Sequence, residues 1–288
     1  MLQVRNISKK LGVFQLSGIS FDLPAGYIMG LVGPNAAGKT SLIKMILGLY
    51  RQDTGEIFIH RIMGSGHEKE VKNKIGFVLE KNYFPIYNTM LENAGTYGRY
   101  YKEFQKEEFL SNCIEFGIDP RKKLGKCSKG EVMKFQLAFA LATQPLLLMM
   151  DEPTANFDLE FREVMYQRMV DFISDGKHSI LYSTHVTDEL DKIADYITFM
   201  NHGKLVFSLE KERMYEEFAM VSGEETRIAS LGRENLIFME KSKYQSKALV
   251  RRKGIISWPD EILIEKPTVE EVMYYVIKRE RKDATDGY

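Results

Sequence analysis

The sequence predicts an α/β fold built on a mostly parallel sheet, with an inserted helical lobe and a small appended α+β module. Three observations predict it. The glycine-rich stretch Gly33-Pro34-Asn35-Ala36-Ala37-Gly38-Lys39-Thr40 lies between a strand-like run and a helix-like run. From Glu131 to Ala194 helical and strand-like runs alternate, the succession that yields parallel strands joined by right-handed crossovers. From about residue 218 that alternation gives way to short strands and one terminal helix.

Taken in order, Leu2-Gln3-Val4 and Ile19 to Leu23 alternate as strands, and Gly55 to Ile59 is a further strand. Tyr27 to Val32 reads as a short buried strand and Ser41 to Leu47 as an apolar-faced helix. Glu68 to Asp119 is polar and reads as helical, with Phe104, Phe109, Ile114 and Phe116 marking amphipathic helices after a loop containing Pro85. There follow a helix (Glu131 to Thr143), a strand (Leu146 to Met150), a helix (Leu159 to Asp175), a strand (Ser179 to Ser183) and a helix (Thr187 to Ala194). The strand Tyr196 to Met200 ends in the turn Asn201-His202-Gly203-Lys204. Strand candidates then appear at Leu236 to Met239, Ala248 to Arg251 and Ile262 to Ile264, and Val269, Val272, Met273, Val276 and Ile277 give a final helix one buried face. The expected division is a main α/β unit over 1–217, its helical lobe at about 81–142, and an accessory module over 218–288.

Composition bounds the function. The 288 residues are 44% hydrophobic and 28% charged, as in ordinary globular proteins. Lys plus Arg balances Asp plus Glu at 40 each, so no global charge draws the chain to nucleic acid or anionic membrane, and direct nucleic acid binding is not expected. The cluster Lys241, Lys243, Lys247, Arg251, Arg252 and Lys253 reads either as a solvated face or as a nucleic-acid contact. Cys113 and Cys127 have neither the number nor the spacing of a disulfide framework or a zinc site, which fits a reducing compartment. No apolar run approaches the ~20 residues that span a bilayer, and the N-terminus lacks the build of a secretion signal, so a membrane link is expected to come through a partner.

The stretch Gly33 to Thr40 fits G-x-x-x-x-G-K-[ST], a loop whose backbone N–H groups and following helix N-terminus form a concave anion site. Nucleotide triphosphate binding follows, with Gly33, Pro34, Asn35, Ala36, Ala37, Gly38 and Ser41 around the phosphates. Lys39 is placed to reach the terminal phosphates, and the Thr40 hydroxyl to ligate Mg²⁺. The apolar run Leu146 to Met150 delivers Asp151 and Glu152 at a strand end, where open α/β sheets bind ligands. Asp151 suits the metal, and Glu152 suits polarising an attacking water, which makes hydrolysis expected.

With these motifs the chain resembles the nucleotide-binding subunit of an ATP-binding cassette (ABC) transporter, over about Leu2 to Phe207. The motif that separates this family from other P-loop NTPases is here Cys127-Ser128-Lys129-Gly130-Glu131, where the family usually has Leu-Ser-Gly-Gly-Gln. The Ser-Lys-Gly variant resembles exporter ATPases of the bacitracin-resistance and acetoin-transport-like branch. The resemblance implies an N-terminal antiparallel β subdomain beside the parallel core. It implies two subunits facing head to tail, each ATP held by Lys39 and Thr40 of one and by Ser128 and Gly130 of the other. His185 in Ser183-Thr184-His185 matches the switch histidine, and Asp158 the loop that crosses the dimer interface, although Asn156 and Phe157 depart from the usual Gly and Leu. The adenine-stacking aromatic is replaced by Leu11, with Phe14 as the substitute. Glu80 stands where the family has the glutamine that senses magnesium, and adds a carboxylate beside the metal.

The resemblance thus implies an ATP-hydrolysing exporter subunit at the cytoplasmic face of the membrane. Closure of the dimer would drive a separate transmembrane permease that exports a drug, peptide or bacteriocin, or lipid-like substrate. A homodimer is expected, a heterodimer remaining open. Tyr83, Phe84 and Tyr87 suit either a helix of that partner or a buried loop core. The alternatives are a soluble ABC ATPase of translation or DNA repair, which usually carries two cassettes or a long coiled-coil insertion, and a kinase-like nucleotide enzyme, disfavoured by Ser128 to Glu131.

Overall fold

The computed structural model describes residues 1–64, 66–242 and 245–286. In chain order the elements are β1 (Leu2–Leu11), β2 (Phe14–Leu23), β3 (Ile28–Val32), α1 (Lys39–Ile46), β4 (Thr54–Ile59), β5 (Ile62–Met63), α2 (Glu68–Lys72) and β6 (Ile75–Val78). Next come α3 (Met90–Gly98), α4 (Lys106–Glu115), α5 (Lys129–Ala142), β7 (Leu147–Asp151), α6 (Leu159–Ile173), β8 (Ser179–Ser183), α7 (Thr187–Ile193), β9 (Tyr196–Asn201) and β10 (Lys204–Glu210). The remainder is α8 (Lys211–Glu217), β11 (Phe218–Gly223), α9 (Glu225–Ala229), β12 (Leu236–Glu240), β13 (Ser246–Arg251), β14 (Leu263–Glu265) and α10 (Val269–Asp286).

Three sheets result. The core sheet has the order β10-β9-β3-β8-β7-β6 and is parallel from β9 to β6, with β10 antiparallel at its edge. Residues of β3, β7 and β8 are buried throughout, because helices cover one face and α1 with the N-terminal strands the other, and their sequences are accordingly near-continuous apolar runs. An antiparallel N-terminal sheet runs β2-β1-β4-β5. A third sheet, β12-β13-β11-β14, is antiparallel and carries α10 against it. Its core is continuous with that of the parallel sheet: Met220, Leu249, Val269 and Val272 join the cluster that holds Leu148, Tyr182 and Phe199.

Helix α5 is buried on nearly all sides, as its Phe, Leu and Ala content requires, and Ser128 and Glu131 start it with a reciprocal capping box. Phe84 packs edge-on against Tyr97, Phe135 and Phe139 at 4.9–5.3 Å between ring centroids, contacts worth about 0.5–1.5 kcal/mol each beyond their buried area. Phe84 is therefore loop core, whereas Tyr83 and Tyr87 are exposed.

The structure departs from the sequence reading in three places. The span Glu68 to Asp119, expected to be helical, contains the strand β6, which is only four residues long and includes Gly76. Its burial comes from α5 and β7, which local pattern does not report. The turn after β9 is a hairpin: His202 (φ 45°) and Gly203 (φ 75°) both have positive φ, as a two-residue reversal demands, and lead into the unexpected β10. The elements α8, β11 and α9 were also not anticipated. The basic cluster does fit the solvated face: Lys241, Lys247, Arg251 and Lys253 are exposed, Lys241 in a surface pair with Glu225, while the half-buried Arg252 donates to the Phe218 carbonyl and lies over Trp258; Lys243 lies outside the described residues.

The same hairpin turn joins the two halves of the ATPase unit. Gly203 accepts from the Ser17 N–H (2.9 Å) and donates to the Ala37 carbonyl (3.1 Å), and a Cβ on Gly203 would stand 1.9 Å from the Gln15 carbonyl oxygen. Gly203→Ala is expected to destabilise the protein by more than the roughly 1–3 kcal/mol that backbone strain alone costs, measured as the shift in unfolding free energy by urea denaturation.

Candidate functional site

The loop after β3 curls because Gly33 (φ 154°), Ala36 (φ 63°) and Gly38 (φ 105°) all take positive φ. Ala36 does so at roughly 1–2 kcal/mol, the usual penalty for a side chain there. Gly33 has no room for a side chain, since a Cβ would lie 2.2 Å from the Met200 carbonyl oxygen. Gly38 caps α1 directly, leaving the first N–H groups of that helix open toward the loop. Lys39 is buried, and its ammonium donates to the Gly33 carbonyl at 2.7 Å and the Pro34 carbonyl at 3.4 Å, folded back on its own loop.

β7 brings up the carboxylates. Asp151 is its last residue, paired with Ser183 of β8, and its Oδ2 accepts from the Thr40 hydroxyl at 3.0 Å. The two side chains expected at the metal are therefore in contact. Glu152 leaves the strand in left-handed backbone (φ 51°, ψ 46°), and its N–H donates to the Ser183 carbonyl at 2.9 Å. That reversal turns its carboxylate toward His185, whose Nδ1 lies 2.6 Å from Glu152 Oε2 and whose backbone N–H donates to the same oxygen at 3.3 Å. Strand alternation, the sequence-level reason for separating Asp151 from Glu152, is thus supplemented by a strained backbone.

Thr40, Glu152 and His185 open on one cleft of about 630 Å³, lined also by Leu11, Phe14, the rest of the loop from Asn35 to Ser41, and Glu80. Phe14 abuts Gly38, where a Cβ would meet its ring at 3.0 Å, so the ring stands at the mouth of the phosphate loop. Ser128, Gly130 and Asp158 are not brought to this cleft within one chain. Ser128 caps α5, accepting from the Glu131 N–H at 3.1 Å, and Asp158 caps α6, accepting from the Phe161 N–H at 2.8 Å. Lys129 is exposed in the first turn of α5.

The electrostatics suit a metal-nucleotide complex. Burial pushes the Asp151 carboxyl above the usual carboxylate range, opposed by its bond from Thr40. Burial also lowers the Lys39 ammonium, opposed by Glu152 and Asp151. A divalent cation beside Asp151 and an anion before Lys39 would each oppose that burial, and hydroxyl and carboxylate oxygens are the donors magnesium takes.

Two features behind the cleft escaped the sequence reading. Glu189 on α7 is buried, accepts from the Thr154 hydroxyl (2.9 Å) and the Tyr182 hydroxyl (2.6 Å), and has Arg162 at 3.7 Å. It ties the turn after Glu152 to the helix after His185; no spacing rule announces it, because its partners come from three elements. Lys122 grips Glu131 through both carboxylate oxygens at 2.7 and 2.9 Å, which offsets a negative charge at an anion-attracting helix end.

The sequence profile of the ABC transporter family matches residues 16–155. The Nod factor export ATP-binding protein I of Burkholderia lata is 30% identical, covering 71% of this chain and 69% of its own length. The tungstate uptake system ATP-binding protein of Peptoclostridium acidaminophilum is 32% identical over 71% of this chain and 96% of its own. Among solved structures, the ATP binding subunit of an ABC transporter superposes with a TM-score of 0.69 at 22% identity, covering 74% of this chain and 91% of that one. A dimeric post-hydrolysis ATP-binding cassette bound to ADP and phosphate superposes with a TM-score of 0.65 at 22% identity, over 73% and 98%.

The Lys122 contact, with the Ser128 N–H second, holds the Glu131 carboxyl below its ordinary 4.5. A carboxyl depressed in the fold stabilises above its unfolded pKa, and the contribution fades as pH falls through the folded value. Glu131→Gln is therefore expected to lose less unfolding free energy than the wild type between pH 7 and acid, read from urea denaturation at both ends of that range.

Proposed function

The chain belongs to the ABC transporter family as an ATP-binding subunit whose ATP hydrolysis is coupled to transport, and from that premise we propose that it energises export. The observation that carries the catalytic reading is that Thr40, backed by the buried Asp151, and the Glu152–His185 pair meet at one phosphate-loop cleft. In this reading the loop N–H groups from Asn35 to Thr40 hold the phosphates, and Lys39 leaves the Gly33 carbonyl to reach the terminal ones. Thr40, Asp151 and Glu80 hold Mg²⁺, which when bound neutralises phosphate charge. The Glu152 carboxylate accepts a proton from the attacking water, and His185, held at 2.6 Å, fixes the carboxylate's orientation. Phe14 stacks on the base.

One subunit supplies half of each site. We take Ser128 and Gly130 to complete the site of the opposite subunit and Asp158 to lie at the crossing between them. The dimeric cassette among the structural neighbours supports this arrangement. A homodimer suffices, since both Glu152 and His185 are present. Closing and opening of the pair would work a transmembrane permease at the cytoplasmic face of the membrane, with exposed Tyr83 and Tyr87 on the coupling side. No helix among the described residues is long and apolar enough to cross a membrane, so the permease is a separate chain in this reading. Residues 218–288 would be an accessory module seated through α10 on α7, where the Val269 N–H donates to Asp191 at 3.3 Å.

Export is favoured by the Nod factor export relatives, and a drug, peptide or lipid-like molecule is the proposed cargo. The tungstate uptake relative supports a second reading, import of an oxyanion. Copurification with a multi-span membrane protein, followed by ATP-driven transport in vesicles of known orientation, decides the direction.

Glu152→Gln is expected to lower phosphate release by about 10²–10⁴-fold, the usual worth of a general base, while ATP drives the variant to sediment as a dimer. A persistent monomer at saturating ATP and magnesium would overturn the two-subunit mechanism. Glu80→Gln is expected to retain hydrolysis with a shifted magnesium titration, measured by phosphate release across metal concentrations.

A further inference from the structure

Gln136 lies two turns into α5, is fully buried and does not line the cleft. Its side chain reaches the end of β6. There the Leu79 N–H donates to Gln136 Oε1 at 3.0 Å, and Gln136 Nε2 donates to the Leu79 carbonyl at 3.1 Å. Nε2 also points at Met133 Sδ, 3.7 Å away. Only one orientation of the amide meets both Leu79 groups, because an N–H needs an acceptor and a carbonyl needs a donor. The ladder between β6 and β7 ends at Val78, paired with Met150, so one residue later the Gln136 amide takes over what the sheet no longer supplies.

The next residue is Glu80, which opens into the cleft with Thr40 and Glu152. The seat beneath it is firm. One helical turn beyond Gln136, the Ala140 carbonyl oxygen lies 3.2 Å from where a Cβ on Gly76 would stand, and Pro145 Cγ lies 2.8 Å from it, so β6 lies close against the end of α5 at a residue without a side chain. Contacts at Gly76 and Leu79 thus fasten both ends of β6 to one face of the helix. That helix begins at Ser128 and Gly130.

We propose that Gln136 is a positioning residue: its amide holds the Leu79–Glu80 backbone so that the Glu80 carboxylate stays at the metal side of the cleft, and ties that placement to the helix that presents Ser128. The proposal rests on the reading of Glu80 as a magnesium-side group. Removing the amide frees the chain at Leu79 while leaving the phosphate loop, Asp151 and Glu152 untouched. The effect therefore falls on the part of nucleotide affinity that depends on metal, and spares the part that does not.

The test uses the full chain carrying Glu152→Gln, with a fluorescent ATP analogue titrated with and without magnesium. Gln136→Met, of similar length but without hydrogen-bonding groups, is expected to keep its metal-free affinity and to lose about tenfold of the gain that magnesium confers, the lower end of what outer-shell partners of metal ligands are worth. Glu80→Ala should lower the same gain, and combining the two should add little. Amide exchange at Leu79 and Glu80 should quicken in Gln136→Met. Gln136→Asn, whose amide stops one methylene short of Leu79, should behave alike and carries the test should Gln136→Met not fold. An intact magnesium gain in the Gln136 variants, with a lowered gain in Glu80→Ala, would overturn the proposal and leave the reading of Glu80 standing. An intact gain in Glu80→Ala would remove that reading and the proposal with it. Equal losses with and without metal would mark Gln136 as a packing residue only and also overturn the proposal.

Discussion

The site depends on the parallel register of β3, β8 and β7. Leu31 pairs with Ser183 and Ser183 with Asp151, so the three strands end level with one another. From those ends leave the phosphate loop, the His185 turn and the Asp151–Glu152 pair. A slip of one residue would turn Asp151 to the other face and bury polar groups where Leu148 and Ile180 now sit. Burial of these strands on both faces is what forbids that slip, so the hydrophobic core and the geometry of the candidate site are secured by the same contacts.

Around that register the fold builds supports that act at one remove. The β9–β10 turn clasps the phosphate loop through Gly203 and Met200, and at its start Asn201 donates to Glu280 of α10 at 2.5 Å. Glu189 joins the turn after Glu152 to the helix after His185. Gln136 joins the end of β6 to α5. Each of these supports is a hydrogen-bonding side chain or turn that bridges elements distant in sequence. Removing Arg162 would leave the Glu189 carboxylate buried without its counter-charge, the kind of loss that costs up to about 3–5 kcal/mol, because that charge cannot reach water.

Local chemistry explains which parts were legible. Gly33 to Thr40 was readable because an anion cradle demands glycines and a lysine at set spacings, and β7 because a strand buried on both faces must be apolar without interruption. The last helix was readable from Val269, Val272 and their spacing. β6 was not, because a four-residue strand containing Gly76 has too little pattern and owes its burial to α5 and β7. β10 was not followed, although the His202-Gly203 reversal signalled it. Phe84 and Tyr83 are neighbours of like composition, and only packing against Phe135 and Phe139 separates the buried ring from the exposed one.

By itself, the sequence determined the α/β class, the phosphate-loop motif and the strand-end carboxylates, since each is a local pattern whose chemistry dictates residue type and spacing; His185 was singled out only through the resemblance to the family. Tertiary structure alone decided that Thr40 touches Asp151, that a left-handed Glu152 meets His185, and that Gln136 holds Leu79 beside Glu80. Those contacts join residues up to 111 positions apart, and their geometry follows from strand register and helix packing, which no local pattern encodes.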